Sequence, residues 1–257
     1  MPLPTPYFQT PDGAITLYHG DCREVMEDLG PGICDMVFTD PPYGHNNNNG
    51  DLIHRREEAL GKGKVTQKDA RPIANDGPEA TPIFAASLPL MYSALNKVGC
   101  CCCCCGGGGP DPMFARWSLL MDAVFSFKQQ VVWDKGPMGM GWHYRRSYET
   151  ILVGQKGKPC KWHDDSHRIE NIIRPGQYGI RKIIPSKNEH PTPKPVALPQ
   201  LFIGLHTLPG ETVLDPFMGR APTGVAAMRT GRRYIGIEIE EHWCEQSALR
   251  LQQEAPA

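Results

Sequence analysis

The last quarter of the chain limits the fold more than any other stretch. Thr212–Leu214 is a short β-branched and apolar run. Thr223–Thr230 has helical spacing and is closed by Gly231, and Arg233–Ile239 returns to strand spacing. A strand, a helix and a strand in such quick succession predict a crossover unit, so the two strands run parallel in one twisted sheet. The same alternation runs through the chain. Strands are predicted at Ala14–Tyr18, Met36–Phe38, Gln130–Trp133 and Thr150–Val153. Helices are predicted at Arg23–Leu29, Ile83–Leu95, Phe114–Phe125 and Val196–His206. Phe114–Phe125 places Trp117, Leu120, Met121 and Val124 at core-facing spacing, and Val196–His206 stops at Pro209-Gly210.

The 257 residues suit one α/β domain, and a 40% hydrophobic content is enough for a sizeable core. No apolar run reaches the length of a membrane span and the N-terminus lacks a signal pattern, so a cytoplasmic protein is expected. A net charge of −1 excludes a nucleic-acid binder that works by bulk charge alone. The charge is segregated, however. Lys156–Lys194 carries nine Lys/Arg against four Asp/Glu, a net +5, which leaves −6 for the remainder. Residues 45–80 are polar and rich in Gly, Pro and Lys, and read as a mobile loop or lid.

Six of the ten cysteines are consecutive, Cys100–Cys105, and Gly106–Gly109 follow them; Asn46–Asn49 is a second low-complexity tract. Consecutive cysteines cannot all meet disulfide geometry, and they match zinc-ligand spacing only trivially, so no metal is expected and the thiols are read as reduced. As small apolar side chains they can fill a buried strand, with the glycines forming a flexible turn.

Three clusters fall at predicted strand ends, where open α/β sheets bind ligands. Asp215-Pro216-Phe217-Met218-Gly219 leads into a helix. Glu238 ends the next strand, where an acidic side chain can accept from ribose hydroxyls, although a solvated strand end has the same sequence. Asp40-Pro41-Pro42-Tyr43 stops the strand at Met36–Phe38, because two prolines forbid its continuation. It is a rigid turn in any reading. It also brings a carboxylate and a backbone carbonyl together beside an aromatic ring, a set suited to a planar base bearing an amino group.

With these residues in this order, the chain resembles the permuted β class of S-adenosylmethionine-dependent DNA amino-methyltransferases. In that class the catalytic Asp-Pro-Pro-Tyr precedes the cofactor's Asp-Pro-Phe-X-Gly. Further matches are Gly20-Asp21-Cys22, Trp133-Asp134-Lys135, Tyr148-Glu149-Thr150-Ile151-Leu152 and His190-Pro191-Thr192-Pro193-Lys194-Pro195. The resemblance implies a Rossmann-like fold over residues 1–257, mostly parallel with one reversed strand, and methyl transfer to a flipped base in double-stranded DNA. By position, Asp40 and the Pro41 carbonyl hold the amine, Pro42 stiffens the turn and Tyr43 stacks on the base. Asp215, with Pro216, Phe217 and Gly219, meets the amino-acid part of the cofactor. Thr192 and Lys194 meet its carboxylate, Glu238 its ribose, and Asp21 and Cys22 flank the adenine.

The basic stretch, residues 156–189, falls at the class's target-recognition segment, with Arg168, Arg174, Arg181 and Lys182 as DNA contacts. Arg55, Arg56, Lys62 and Lys64 belong to a loop expected to close on DNA. Adenine N6 is the expected target and cytosine N4 the alternative, within a modification system of the restriction-modification kind. A homodimer is expected by analogy. The pattern breaks at Arg220-Ala221-Pro222, where the class has a small residue, a second glycine and Thr. A positive φ at Ala221 would cost roughly 1 kcal/mol or more, and Arg220 must swing clear of the pocket. A DNA-binding protein without cofactor affinity is therefore the reading from another functional class.

Overall fold

A computed structural model describes residues 3–45, 73–106, 113–137, 147–182 and 194–254. Its elements are β1 (Phe8–Gln9), β2 (Ile15–His19), α1 (Cys22–Leu29), β3 (Cys34–Thr39), α2 (Ala80–Ala94), β4 (Leu95–Gly106), α3 (Met113–Asp122), β5 (Ser126–Asp134), β6 (Tyr148–Lys156), β7 (Ile172–Ile173), α4 (Ala197–His206), β8 (Thr212–Asp215), α5 (Pro222–Arg229), β9 (Arg233–Glu238) and α6 (Glu241–Glu254). The strands form one sheet in the order β1-β2-β9-β8-β3-β4-β6-β5-β7.

From β2 through β9, β8 and β3 to β4 every pairing is parallel. The expected reversed strand is β6, which is antiparallel to both β4 and β5. The two-residue edge strand β1 is a second reversed strand that the sequence pattern did not reveal. Nor did the pattern mark α6, which packs Trp243, Cys244, Ala248 and Leu251 inward.

Helices cover both faces. Val25 and Met26 of α1, Phe84, Leu88 and Met91 of α2, and Trp117 and Met121 of α3 pack on one side. Leu198, Phe202 and Ile203 of α4, Val225 and Ala226 of α5, and Leu251 of α6 pack on the other. Strand residues alternate between these two cores as a pleated strand requires. In β8, Val213 faces one core and Leu214 the other.

The cysteine run is the middle of β4, and its odd and even members divide the same way. Cys100, Cys102 and Cys104 face α4–α6, whereas Cys101, Cys103 and Cys105 face α1–α3. All six are buried, so small thiols substitute for the aliphatic side chains that usually build a strand covered on both faces. Phe84 and Trp117 stack with ring centroids 4.0 Å apart, fixing α2 against α3.

Where α3 runs into β5, Phe125 lies directly over β6. A methyl group built on Gly154 would stand 2.8 Å from Phe125 Cβ and 2.9 Å from Met121 Cε. Gly154→Ala should therefore lower the unfolding free energy by about 1–3 kcal/mol, the usual cost of overpacking a core. Urea denaturation checks it, and an unchanged midpoint would mean that this contact yields freely.

Candidate active site

Parallel neighbours end on the same edge of a sheet, so β2, β9, β8 and β3 deliver His19, Glu238, Asp215 and Thr39 to one side. A cavity of about 490 Å³ opens there, lined among others by Asp21, Asp40, Lys194, Asp215, Phe217 and Glu238. Its far wall includes Ile73–Asp76, the described end of the predicted 45–80 segment. Residues 46–72 of that segment lie outside the described residues, as does Thr192. Every other cofactor or catalytic residue expected from the sequence lines this one cavity, Pro41, Pro42, Tyr43, Cys22, Pro216 and Gly219 included.

The turn after β3 is held from several directions. Thr39 Oγ1 donates to Asp215 Oδ1 at 2.7 Å, tying the ends of β3 and β8 together, and Phe217 N–H donates to Thr39 Oγ1 at 3.2 Å. Beyond the two prolines, the Asp76 carboxylate accepts from Gly44 N–H at 2.7 Å and His45 N–H at 3.2 Å.

The carboxylate of Asp40 is engaged at both oxygens: Tyr43 Oη donates to Oδ1 at 2.5 Å and Lys194 Nζ to Oδ2 at 2.6 Å. Each oxygen keeps a further lone pair for an incoming donor. Lys194, assigned by resemblance to the cofactor's carboxylate, thus pairs with the catalytic turn. It also lies 3.3 Å from Glu149 Oε2, and Glu149 Oε1 accepts from Lys135 Nζ at 2.5 Å. The charges alternate along Lys135, Glu149, Lys194 and Asp40.

Burial raises the Asp40 pKa, with Lys194 opposing. Burial would also lift Glu149, but Lys194 and Lys135 prevail and hold it below the ordinary range. Burial alone would depress Lys194, yet Asp40 and Glu149 keep it protonated and its pKa above the usual value.

On the cofactor side, Asp21 caps α1 by accepting from Arg23 N–H at 2.9 Å, and it pairs with the Arg23 guanidinium. Cys22 is buried against Ser87 Oγ at 3.7 Å, and burial pushes its thiol up to about 12. Asp215 is raised to about 6 by burial, with Thr39 opposing. Glu238 accepts from Gly219 N–H at 2.8 Å and Glu240 N–H at 3.0 Å, and burial lifts it to about 7.

The altered loop adopts the strained geometry. Ala221 is fully buried and left-handed at φ 51° and ψ 47°, and Pro222 occupies the first turn of α5. Arg220 has not left the cavity: it lines the wall, and its buried Nε has no hydrogen-bond partner.

The basic stretch contributes less free charge than its composition suggests. Lys156 Nζ caps the end of α2 through the carbonyls of Tyr92 and Leu95, each at 2.7 Å, and Lys161 joins Asp35 and Glu211. Arg168, Arg174, Arg181 and Lys182 are all exposed, and Arg174 pairs with Glu170. Trp162 and Tyr178 are exposed among them.

Residues 34–249 match the DNA methylase family of the N6/N4 type. The chain belongs to this family. It is 26% identical over 278 residues to the type II methyltransferase M2.DpnII of Streptococcus pneumoniae, covering 97% of this chain and 93% of that one. Among solved structures it resembles the PvuII DNA methyltransferase (cytosine-N4-specific), with a TM-score of 0.71 and 19% identity over 95% of this chain and 88% of that one. It also resembles the M1.HpyAVI–SAM complex, with a TM-score of 0.61 and 22% identity over 92% and 98% of the two chains. These likenesses establish a Rossmann-like methyltransferase fold, as the motif order implied. No helix of the described residues is long and apolar enough to cross a membrane.

Sequence reasoning missed the role of Thr39, of Asp76 and of the Lys135–Glu149 pair. The last two lie in stretches that matched the family without suggesting what they do, and only the pairing of β5 with β6 brings them together.

The raised carboxylates set a pH dependence. Between about 4.5 and about 7 the folded chain holds a proton on Glu238 that the unfolded chain has released, so stability falls as pH rises through that window. Asp215 acts in the same sense between 3.8 and about 6. Urea unfolding at pH 5 and pH 8 should show a loss of stability for the wild type and a smaller loss for Glu238→Gln. Equal losses would remove Glu238 from the account.

Proposed function

We propose that the chain methylates the N6 amine of adenine in double-stranded DNA, using S-adenosylmethionine. The observation that carries this reading is the convergence of the Asp40 turn and the Asp215/Glu238 strand ends on one cavity. The residues present fit that cofactor. Two buried carboxylates suit an ammonium and a ribose diol, and the unpartnered Arg220 Nε suits a carboxylate. Phe217 and Cys22, at the cavity wall, suit the adenine and the apolar parts of the cofactor.

The cofactor supplies an activated methyl on a sulfonium, already a good leaving group, so catalysis is mainly positioning. Asp40 and the Pro41 carbonyl orient the amine so that its nitrogen lone pair points along the transfer line. Tyr43 bounds the base on one side, and Asp40 accepts the proton the nitrogen sheds. Burial raises Asp40, which favours its taking that proton, and Lys194 opposes that rise and so favours the carboxylate form. Outside the cavity, Arg168, Arg174, Arg181 and Lys182 meet the phosphates, with Trp162 and Tyr178 beside them.

Asp40→Ala should retain cofactor binding and lose roughly 10²–10⁴-fold in methyl transfer, the usual contribution of a positioned proton acceptor. Asp215→Ala should lose binding, as titration calorimetry would show. Mass spectrometry of hydrolysed, methylated DNA separates the targets. N6-methyladenine supports the proposal, and N4-methylcytosine would replace it with the cytosine reading.

The left-handed Ala221 favours a second reading, a DNA-binding protein with impaired cofactor affinity. An alanine there costs roughly 1–2 kcal/mol. Arg220→Ser with Ala221→Gly should raise cofactor affinity if that loop is the defect. Unchanged binding would acquit the loop, and weaker binding would support Arg220 as a cofactor ligand.

A further inference from the structure

The alternation of β4 gathers one set of side chains that methyl transfer does not use. Cys100 and Cys102 project from the same face with their sulfurs 3.6 Å apart, 3% and 0% exposed. His206, the last residue of α4, is 4% exposed, and one of its ring nitrogens lies with both sulfurs inside a mutual 4.8 Å. Among the described residues this is the one such cluster of histidine, cysteine and carboxylate groups. On the opposite face Cys101 and Cys103 are 3.5 Å apart with no imidazole or carboxylate beside them.

We propose that Cys100, Cys102 and His206 form a buried site for a thiophilic divalent cation of the zinc type, separate from the methyl-transfer cavity. Three lines of geometry and charge agree. Tetrahedral zinc with sulfur at about 2.3 Å implies sulfur–sulfur separations of about 3.7–3.8 Å, and the pair already stands at 3.6 Å. His206 Nδ1 lies 2.8 Å from the Lys161 carbonyl oxygen. A carbonyl can only accept, so Nδ1 carries the proton and Nε2 keeps the lone pair. That is the tautomer of a metal-binding histidine, oriented by an outer hydrogen bond to a backbone carbonyl. Two thiolates and a neutral imidazole around a divalent cation sum to zero charge, which a buried site requires; a monovalent cation would leave an unpaired negative charge.

Binding is balanced by the release of two protons, one from each S–H, as two metal–sulfur bonds and one metal–nitrogen bond form. The cation would cross-link β4 to α4. That helix begins at Ala197, three residues after Lys194, so the cross-link braces the element that follows this lysine. The inference does not rest on the methyl-transfer reading.

The test is titration of the reduced, full-length chain with Co2+ in the absence of oxygen. A thiolate-to-cobalt charge-transfer band should saturate at one equivalent per chain and bleach when Zn2+ is added. Cys160→Ser removes the one exposed cysteine among the described residues, and Cys101→Ala removes a thiol from the opposite face. Both should leave the band unchanged. Cys102→Ala and His206→Gln should each weaken Co2+ binding at least about ten-fold, and should lose the rise in Tm that Zn2+ gives the wild type. Circular dichroism checks their folding; if Cys102→Ala does not fold, His206→Gln and the wild-type stoichiometry decide. A folded wild type with no band overturns the proposal. So does a band that vanishes in Cys160→Ser or one that persists at full strength in His206→Gln.

Discussion

Everything at the candidate site depends on five neighbouring strands running the same way. A parallel ladder lines up carboxyl ends, so residues far apart in sequence reach one edge without any loop having to bring them there. Thr39 and Asp215 are 176 positions apart and 2.7 Å apart in space. Their hydrogen bond joins the last residues of two adjacent strands, one leading into the turn proposed to be catalytic and the other into the loop proposed to hold the cofactor. The sheet therefore fixes the distance between the two halves of the site, and the loops adjust only the details. Burial on both faces is the condition for such a sheet. The six thiols of β4 meet it at the centre despite their small volume, because helices on each side close over them.

The charges at the site follow from that burial. Burial pushes the Asp40 carboxyl toward its neutral form, which cannot accept a proton from an amine. Lys194 opposes this, but burial disfavours its own charged form as well. Glu149 supplies the second negative charge and Lys135 balances Glu149 nearer the surface. Asp40, Lys194 and Glu149 influence one another's proton affinity, so removing any of them shifts its neighbours. Tyr43 completes the arrangement by donating to the free oxygen of Asp40, which also restrains the ring beside the position expected for the base.

How much of this was legible in the sequence divides along a physical line. Elements with local signals were read well: the β3 strand with its Pro-Pro stop, the Trp117 helix, the crossover unit at the C-terminus. The placement of Glu238 and Asp215 at adjacent strand ends beside the cavity was legible because acidic residues closing predicted parallel strands are local signals. The helix at Glu241–Glu254 escaped because its apolar positions are sparse among charged and amide side chains, and only packing shows which face is buried. β1 escaped because two residues carry no periodicity. The Lys135–Glu149–Lys194 chain was invisible for a different reason: it depends on the register of β5 against β6, which no local pattern specifies. Composition alone could not show which charges of the basic stretch are paired: Lys156 and Lys161 bond to the end of α2 and to Asp35 and Glu211.

The loop at residues 219–221 shows how a local penalty is carried by a larger structure. Both Gly219 and Ala221 have positive φ, and only the glycine adopts it without steric cost. Ala221 persists there because its neighbours leave no alternative. Its N–H donates to the Met218 carbonyl at 2.9 Å, its own carbonyl accepts the first helical bond from Val225, and Pro222 fixes the entry into α5. Meanwhile the Ala221 methyl is fully buried in the core beneath β8 and β9, which offsets part of the strain. The same turn directs Gly219 N–H at Glu238 and leaves Arg220 facing the cavity. Strain at Ala221, the Gly219 N–H bond that opposes the burial-raised pKa of Glu238 and the unpartnered guanidinium nitrogen of Arg220 thus meet in one turn. A ligand that brings a carboxylate to Arg220 and hydroxyl donors to Glu238 would give both side chains partners, while the strain at Ala221 stays in the backbone.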